Sequence, residues 1–317
     1  MIVASLLIVL GFTCLIFGAN WLVSGASSLA KKNNVPDLII GLTIVAFGTS
    51  APELIVNCVA SFNGFSDIVF GNIIGSNNFN LFIILGIAGL IYPITVQSST
   101  AWKEIPISLF VVLLLFVLVN DLLINQNPEI SRIDGVILLV GFLCFIYYVF
   151  TQLKQEQSDV IAYEEKSNYK IWALIIIGIA GLIVGGKLVV DNSINIAIEL
   201  GVSQKIIGLT IVAAGTSLPE LVTSIVAATK KNSDIAIGNV IGSNIFNILL
   251  ILSISSFVNP IAYNPNFNQD LLILIGGTAF LFIAMFTGKR KKLDRWEALI
   301  LLSFYLIYTT YLVSKEL

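Results

Sequence analysis

Long apolar segments separated by short polar stretches run along almost the whole chain. A helix needs about 20 mainly apolar residues to cross the hydrocarbon core of a bilayer. Ten segments meet that requirement: 2–29, 37–61, 68–91, 104–122, 132–152, 169–198, 205–229, 235–257, 269–288 and 293–314. Several are longer than a straight span needs, which indicates tilted or interrupted helices. The pattern predicts an all-α polytopic membrane protein with ten transmembrane helices.

The polar connections between these segments are short. The one sizeable connection is 153–168, with the sequence LKQEQSDVIAYEEKSN, and no soluble domain fits between the spans. The chain therefore divides into a five-helix unit (1–152), a linker (153–168) and a second five-helix unit (169–317). Residues 2–23 lack the basic start of a signal peptide and are long enough to span, so we expect them to form the first membrane helix.

The basic residues predict an orientation in the membrane. Lysine and arginine are enriched in the cytoplasmic loops of membrane proteins. If the N-terminus lies outside, most of the 17 lysines and arginines fall on the cytoplasmic side. We therefore expect both termini outside and the linker 153–168 in the cytoplasm.

Composition narrows the class of protein further. The 317 residues are 57% hydrophobic and 11% charged, with a mean hydropathy of +0.95. Soluble domains carry roughly 25% charged residues, and disordered proteins combine low hydrophobicity with high net charge, so both classes are excluded. A net charge of −2 indicates no nucleic-acid partner. Cys14, Cys58 and Cys144 lie inside apolar runs, which predicts small buried hydrophobic side chains rather than a disulfide or a zinc site.

The chain contains an internal repeat. Gly41–Leu54 reads GLTIVAFGTSAPEL and Gly208–Leu221 reads GLTIVAAGTSLPEL, identical at twelve of fourteen positions with an offset of 167. A second pair, GNIIGSNNFN from Gly71 and GNVIGSNIFN from Gly238, matches at eight of ten positions with the same offset. Two separate blocks at one offset indicate a duplicated unit.

The number of spans in each unit determines how the two copies are arranged. Five is odd, so the second copy enters the membrane in the opposite sense. Such inverted-topology repeats are typical of secondary transporters, whose substrate site lies near the membrane midplane between the repeats.

A proline predicts a break in each repeated block. Pro52 has no N–H and its ring clashes with the carbonyl group of Gly48, so the second span should be interrupted near 46–52. Pro219 has the same effect in the seventh span. We expect each break to free carbonyl oxygens at about Ala46 and Ala213, and carbonyls of this kind coordinate cations in broken-helix transporters.

Two carboxylates lie in the middle of these apolar spans. Glu53 and Glu220 each follow the proline directly, and a charge at the bilayer centre costs at least about 2.5–3.5 kcal/mol. No lysine or arginine lies nearby in these spans, so a bound cation is the simplest partner. Four pairs of polar residues are spaced four positions apart, which places both members on one helix face. They are Thr49 with Glu53, Thr216 with Glu220, Ser76 with Asn80, and Ser243 with Asn247.

The inferred pocket contains only oxygen ligands. Such ligands select hard cations such as Ca²⁺, Mg²⁺ or Na⁺ and argue against zinc or copper. Two carboxylates neutralise one divalent ion, and the same oxygens could hold several Na⁺ instead. Other interpretations stay open for part of the set. Asn80 could equally join helices by hydrogen bonds, and the hydroxyls of Thr49, Ser50, Thr216 and Ser217 could satisfy the broken backbone.

The two GTS-x-PE blocks resemble the repeats of the calcium/cation antiporter superfamily, in particular its sodium/calcium exchanger branch of prokaryotic type. The resemblance covers the whole chain, including the ten spans and the short central linker. It implies that Glu53 and Glu220 are the central ion ligands. It also implies hydroxyl, amide or carbonyl ligands at Thr49, Ser50, Thr216, Ser217, Ser76, Ser243, Asn80, Asn247, Ala46 and Ala213.

The resemblance further implies alternating access, in which the first and sixth spans slide against the other eight. One residue departs from part of the family: some members, including potassium-dependent ones, carry Asp where this chain has Asn247. The superfamily's proton-coupled branch has a carboxylate close after the GN pair, whereas Gly75-Ser76-Asn77 follows here. Both features favour sodium coupling over potassium or proton coupling.

The expected function is secondary antiport of Na⁺ and Ca²⁺ across a prokaryotic plasma membrane. The chain has no GxxxxGK[ST] phosphate loop, so an ion gradient should supply the energy. We expect no enzymatic activity, no cofactor beyond the transported ions and no required protein partner. A proton- or Mg²⁺-linked antiporter on the same scaffold is the alternative. An ion channel is a further class, which single-channel currents would indicate. An intramembrane enzyme is another, which a catalytic dyad would indicate.

Overall fold

The computed structural model describes residues 2–120, 128–152, 167–199, 213–288 and 291–316, and these residues are mostly helical. In chain order the helices are α1 (Ile2–Lys32), α2 (Asp37–Thr49), α3 (Ala51–Phe62), α4 (Ser66–Ile91), α5 (Thr100–Val119), α6 (Arg132–Gln152), α7 (Asn168–Glu199), α8 (Ala213–Gly215), α9 (Leu218–Thr229), α10 (Ser233–Val258), α11 (Pro265–Ala284) and α12 (Arg295–Glu316).

The described helices agree with the predicted membrane segments. Seven of them are long and apolar enough to cross a bilayer, and α2 with α3 make an eighth span if the bent pair is counted as one. The short apolar helix α9 and the 22-residue helix α12 lie at the remaining predicted spans. The count of ten therefore stays a prediction. Residues 205–212 of the seventh predicted span and most of the linker 153–168 lie outside the described residues.

The predicted break in the second span is confirmed. α2 ends at Thr49, α3 begins at Ala51, and the two helices are bent by 48°. Pro52 lies in the first turn of α3, where its missing N–H costs no hydrogen bond. In the second copy, α8 ends at Gly215 and α9 begins at Leu218, and Pro219 lies in the first turn of α9.

The sequence predicted that the break frees the carbonyl oxygen of Ala46. The structure contradicts this prediction. That oxygen accepts the N–H of Ser50 at 3.0 Å and the hydroxyl of Thr49 at 3.2 Å. Helix α2 continues through Thr49, so the hydrogen bond from the Ser50 N–H to the Ala46 carbonyl is kept. The interruption begins at Ser50. The equivalent residue Ala213 is the first residue of α8, next to the undescribed 200–212.

Wider π-helical turns occur in four of the helices, within three of them and at the start of α5. They are Gly41–Val45 in α2, Phe79–Ile84 in α4, Thr100–Glu104 in α5 and Asn247–Ile251 in α10. Turns of this kind are frequent at functional sites because they redirect side chains within an otherwise regular helix. Two of them contain the candidate ligands Asn80 and Asn247.

Two short antiparallel ribbons tie the halves together outside the helices. Strand β1 (Ile94–Thr95) pairs with β4 (Lys292–Leu293), and β2 (Glu129–Ile130) pairs with β3 (Ile261–Ala262). Each ribbon takes one strand from the first half and one from the second. The hydrophobic pattern gave no indication of them, because a two-residue strand is too short to show an alternating pattern.

The helices pack around two buried apolar clusters. The larger cluster is formed mainly by α4, α5, α6, α10, α11 and α12. The smaller one joins α1 and α7 to parts of α2, α9 and the start of α10. Helices α1 and α7 therefore pack outside the larger cluster, against each other and against parts of α2, α9 and α10.

Glycines allow α1 and α7 to approach each other closely. A Cβ on Gly178 would lie 2.7 Å from the backbone nitrogen of Leu22 and 2.8 Å from the carbonyl oxygen of Gly18. Small residues at a helix interface allow this kind of backbone contact in membranes, where van der Waals packing replaces the hydrophobic effect as the driving force.

The cysteines are less buried than their apolar surroundings predicted. Cys14 and Cys58 are half-buried, Cys144 is exposed, and all three are free thiols. The expectation of burial was wrong because an apolar run in a membrane helix can face lipid as well as the protein interior. Large apolar side chains such as Phe110 and Leu143 are exposed for the same reason.

The α1–α7 contact generates a stability prediction. Replacing Gly178 with Ala should destabilise the folded protein by about 1–3 kcal/mol, because the new methyl group overlaps the backbone of α1. The matched control is Gly276→Ala in α11, where an added Cβ meets nothing within 4 Å. Thermal unfolding of both variants in detergent is the measurement. Equal melting temperatures for the two would contradict the close packing.

Candidate ion-binding site

The two repeated glutamates lie deep inside the protein, at equivalent positions. The side chains of Glu53 and Glu220 are 1% and 0% exposed. Each is the third residue of the helix that follows a break, Glu53 in α3 and Glu220 in α9. A helix N-terminus carries partial positive charge, which favours a carboxylate in the first turn. The breaks therefore bring two helix N-termini to the buried charges.

Serines connect each glutamate to the opposite half. The hydroxyl of Ser50 donates to Oε1 of Glu220 at 2.8 Å, and the hydroxyl of Ser217 approaches Oε1 of Glu53 at 3.5 Å. These serines in turn meet serines of the long helices. Ser50 Oγ lies 3.0 Å from Ser243 Oγ, and Ser217 Oγ lies 2.9 Å from Ser76 Oγ. The predicted serines thus come together around the two carboxylates.

The threonines are held by two asparagines that sequence reasoning did not select. The hydroxyl of Thr49 donates to Oδ1 of Asn239 at 3.0 Å, and that of Thr216 donates to Oδ1 of Asn72 at 3.1 Å. Asn72 and Asn239 are the asparagines of the two repeated GN pairs. Their equivalent positions in the duplicated block were the signal that could have identified them.

Asn80 and Asn247 join the halves through their amide nitrogens. Asn80 Nδ2 donates to Oδ1 of Asn244 at 3.1 Å, and Asn247 Nδ2 donates to Oδ1 of Asn77 at 2.9 Å. The oxygen of each amide has no hydrogen-bond partner among the described residues. The two interpretations of Asn80 are therefore compatible, because the nitrogen joins helices while the oxygen stays available. Asn77 and Asn244 were not among the predicted site residues.

Four oxygens of the site are buried without a hydrogen bond in the part of the chain that the structure describes. They are Oε2 of Glu53, Oε2 of Glu220, Oδ1 of Asn80 and Oδ1 of Asn247. A buried acceptor left unsatisfied costs about 1–3 kcal/mol, and more when it is charged. No described lysine or arginine forms an ion pair with either glutamate. The oxygens therefore suit a bound cation.

The donor set is that of a hard, oxygen-binding cation. The described residues contain no cluster of three or more histidine, cysteine, aspartate or glutamate residues. The site instead combines two carboxylates with neutral hydroxyl and amide oxygens. Ca²⁺ accepts six to eight such ligands in flexible geometry, whereas zinc prefers nitrogen and sulfur.

The contacts at the site occur in reciprocal pairs. Asn77 Nδ2 donates to the carbonyl of Asn244 at 3.2 Å, and Asn244 Nδ2 donates to the carbonyl of Asn77 at 3.3 Å. These residues are 167 positions apart, which is the offset of the sequence repeat. The two copies of one repeat position therefore contact each other directly.

Comparison with known proteins identifies the family. The sequence model of the family described as "Sodium/calcium exchanger protein" matches residues 3–151 and 170–314, which is most of both halves. This chain belongs to the sodium/calcium exchanger family. It is therefore a multi-pass integral membrane protein of a cation antiporter family, of prokaryotic type.

Individual relatives cover nearly the whole chain of this exchanger. It is 31% identical to the sodium/calcium exchanger MaX1 of Methanosarcina acetivorans, over 96% of each chain. It is 36% identical to the inner membrane protein YrbG of Escherichia coli, over 87% of each chain. Its structure resembles that of the sodium-calcium exchanger NCX_Mj soaked with zero Na⁺ and Ca²⁺, with a TM-score of 0.83, 32% identity and coverage of 98% and 99%.

The site generates a binding prediction for this exchanger. Glu53→Gln and Glu220→Gln each keep the size of the side chain but remove its charge, so each should abolish cation binding while the protein still inserts and folds. The measurement is the rise in melting temperature on adding Ca²⁺ or Na⁺, because a ligand that binds the folded state stabilises it.

The matched control is Asp67→Asn, an exposed carboxylate in the first turn of α4. We expect Asp67→Asn to keep the full cation-dependent rise in melting temperature. A normal rise in either glutamine variant would remove that glutamate from the site.

Proposed function

We propose that this exchanger extrudes Ca²⁺ in exchange for Na⁺ entry, with both ions using the pocket around Glu53 and Glu220. The observation that carries the proposal is the pair of buried carboxylates, each with one oxygen unpaired in the described residues and each approached by a serine of the other half. The family and the relative MaX1 support the choice of ions.

Charge balance explains how one pocket couples two ions. The two ionised glutamates carry a formal charge of −2, which one Ca²⁺ neutralises. Na⁺ can occupy the same oxygens, but repulsion and shared ligands prevent both ions from being held there together. Asn80 and Asn247 add oxygen ligands without adding charge. Mutually exclusive occupancy then converts a Na⁺ gradient into Ca²⁺ movement.

We further propose ten spans arranged as two inverted repeats, with both termini outside a prokaryotic plasma membrane. The reciprocal contact between Asn77 and Asn244 supports the two-fold arrangement. The ribbons support it independently, because β1 pairs with β4 while their repeat counterparts β3 and β2 pair with each other. The carbonyls of Ala46 and Ala213 stay in the proposed ligand set, and that of Ala46 would bind the ion in place of its hydrogen bond from the Thr49 hydroxyl.

Alternating access would follow from movement of α1 and α7 against the rest of the protein. These helices pack in the smaller apolar cluster, together with parts of α2, α9 and α10. Their mutual contact is lined by glycines such as Gly18 and Gly178. Close backbone packing between α1 and α7 fits two helices that move as one unit.

A proton- or Mg²⁺-linked antiporter is the second candidate. A carboxylate that binds a cation also binds a proton, so the same glutamates could carry protons. Mg²⁺ requires nearly ideal octahedral geometry and gives up water reluctantly. The mixed set of flexible hydroxyl, amide and carboxylate oxygens therefore favours Ca²⁺.

The proposal predicts Na⁺-dependent Ca²⁺ uptake. Proteoliposomes loaded with Na⁺ and diluted into Na⁺-free buffer should take up radiolabelled Ca²⁺, because outward Na⁺ movement drives the exchange. Dilution into Na⁺-matched buffer should abolish uptake. Vesicles with Glu53→Gln serve as the control for leakage.

Two results would change the assignment. Ca²⁺ uptake that is equal with and without the Na⁺ gradient would contradict Na⁺ coupling. Uptake that instead follows a pH gradient, or Mg²⁺ flux in the same vesicles, would select the second candidate.

The shared use of Glu53 and Glu220 also predicts a pH dependence. Protonation of these carboxylates competes with cation binding, so Na⁺-driven Ca²⁺ uptake should fall as the pH is lowered. The measurement is the initial uptake rate over a series of external pH values at a fixed Na⁺ gradient. A rate that rises steadily toward acid pH would instead indicate proton coupling.

A further inference from the structure

Asn77 and Asn244 lie between the two halves, one residue beyond the serines of the site. They are 0% and 2% exposed. Each side-chain nitrogen donates to the backbone carbonyl of the other residue, at 3.2 Å and 3.3 Å. These two bonds fix which end of each amide is the nitrogen, since oxygen and nitrogen have nearly the same shape and only the hydrogen-bond network distinguishes them.

The fixed amides determine the orientation of the candidate ligands. With its nitrogen committed, Asn77 has only Oδ1 left, and an oxygen can only accept. The residue opposite it, Asn247, must therefore present its nitrogen, at 2.9 Å. Asn244 imposes the same choice on Asn80, at 3.1 Å. The oxygens of Asn247 and Asn80 are thereby directed away from these bonds, and both are unpaired within the described residues.

We propose that Asn77 and Asn244 are positioning residues, each of which orients the ligand amide of the opposite half so that its oxygen, and not its NH₂ group, is presented to the transported cation. The proposal rests on the proposed function for the identity of the cation. If the side-chain amide of Asn80 or Asn247 rotated so that its oxygen and nitrogen exchanged places, an NH₂ group with partial positive charge would face the ion. The orientation matters more here than at a carboxylate, whose two oxygens are equivalent.

The two halves differ in how strongly the amide is held. Asn247 Nδ2 has a second acceptor, Ser76 Oγ, at 3.3 Å. Asn80 Nδ2 has Asn244 as its one acceptor among the described residues. Removing the side-chain oxygen of Asn244 should therefore release Asn80 more completely than removing that of Asn77 releases Asn247.

A double-mutant cycle separates positioning from a merely structural role. Ca²⁺ affinity of the purified full chain is measured by isothermal titration for Asn244→Leu, Asn80→Leu and the double variant. Asn244→Leu should weaken binding by about tenfold, comparable to one lost interaction with a charged group. Because Asn244 acts through Asn80, the double variant should bind no more weakly than Asn80→Leu alone.

The crossed pair gives the contrasting expectation. Asn244 and Asn247 lie on the same helix, α10, but Asn247 is oriented by Asn77. Combining Asn244→Leu with Asn247→Leu should therefore weaken Ca²⁺ binding more than either change alone. Asn77→Leu should weaken binding less than Asn244→Leu does, because Ser76 still holds Asn247.

Asn78→Leu is the matched control. Asn78 is a buried asparagine on the same helix as Asn77, but its nitrogen donates to the carbonyl of Asp270 and not to a site residue. It should leave the Ca²⁺ affinity within about twofold of wild type. If Asn244→Leu does not fold, Asn244→Ala removes the same amide with less steric conflict.

Several outcomes would overturn the proposal. They are an unchanged affinity in Asn244→Leu, additive losses in the Asn244 and Asn80 pair, or an equal loss in Asn78→Leu. Failure of Na⁺ coupling alone is detected by the uptake assay, and failure of the Ca²⁺ assignment is distinguishable, because wild type would then show no Ca²⁺ binding. In that case the same cycle is measured with Na⁺ as the titrant, and the same coupling pattern is expected.

Discussion

Two buried carboxylates at matched positions impose the main physical constraint on this protein. Glu53 and Glu220 are almost completely buried, and the described residues provide no lysine or arginine to neutralise them. The interior compensates in part with hydroxyl donors and with the positive ends of α3 and α9. Each half supplies donors to the carboxylate of the other half, so the charges and the interface between the repeats stabilise one another.

The irregular backbone of the core follows from this constraint. Broken and π-helical segments are tolerated at membrane depth only where protein or a cavity surrounds them. Here they place Ser50 and Ser217 beside the glutamates, and they place Asn247 against Ser76, which contacts Ser217. Regular helices would have directed the same residues along different faces. In our proposal, Asn77 and Asn244 then fix which end of the Asn247 and Asn80 amides is the oxygen, which hydrophobic packing alone could not do.

The sequence alone was sufficient to predict the features that depend on large free-energy differences. The cost of an intramembrane charge identified Glu53 and Glu220, and the chemistry of Pro52 located the break. Contacts between the two halves could not be predicted from the sequence, because the partner of Asn72 or Asn77 depends on how the two copies face each other. The expectation that the break frees the carbonyl of Ala46 was wrong because α2 continues to Thr49 and that carbonyl accepts the N–H of Ser50. Cys144 was misjudged because lipid and protein interior are similarly apolar.

The most direct test of the central claim is to locate the ion itself. Crystals of this exchanger soaked with Sr²⁺ as a substitute for Ca²⁺ would reveal the metal by its anomalous scattering. The account predicts a peak between the two halves, in direct contact with carboxylate oxygens of both Glu53 and Glu220, at distances close to the roughly 2.3–2.6 Å typical of Ca²⁺. A peak that contacts neither glutamate, or contacts residues of one half alone, would contradict it.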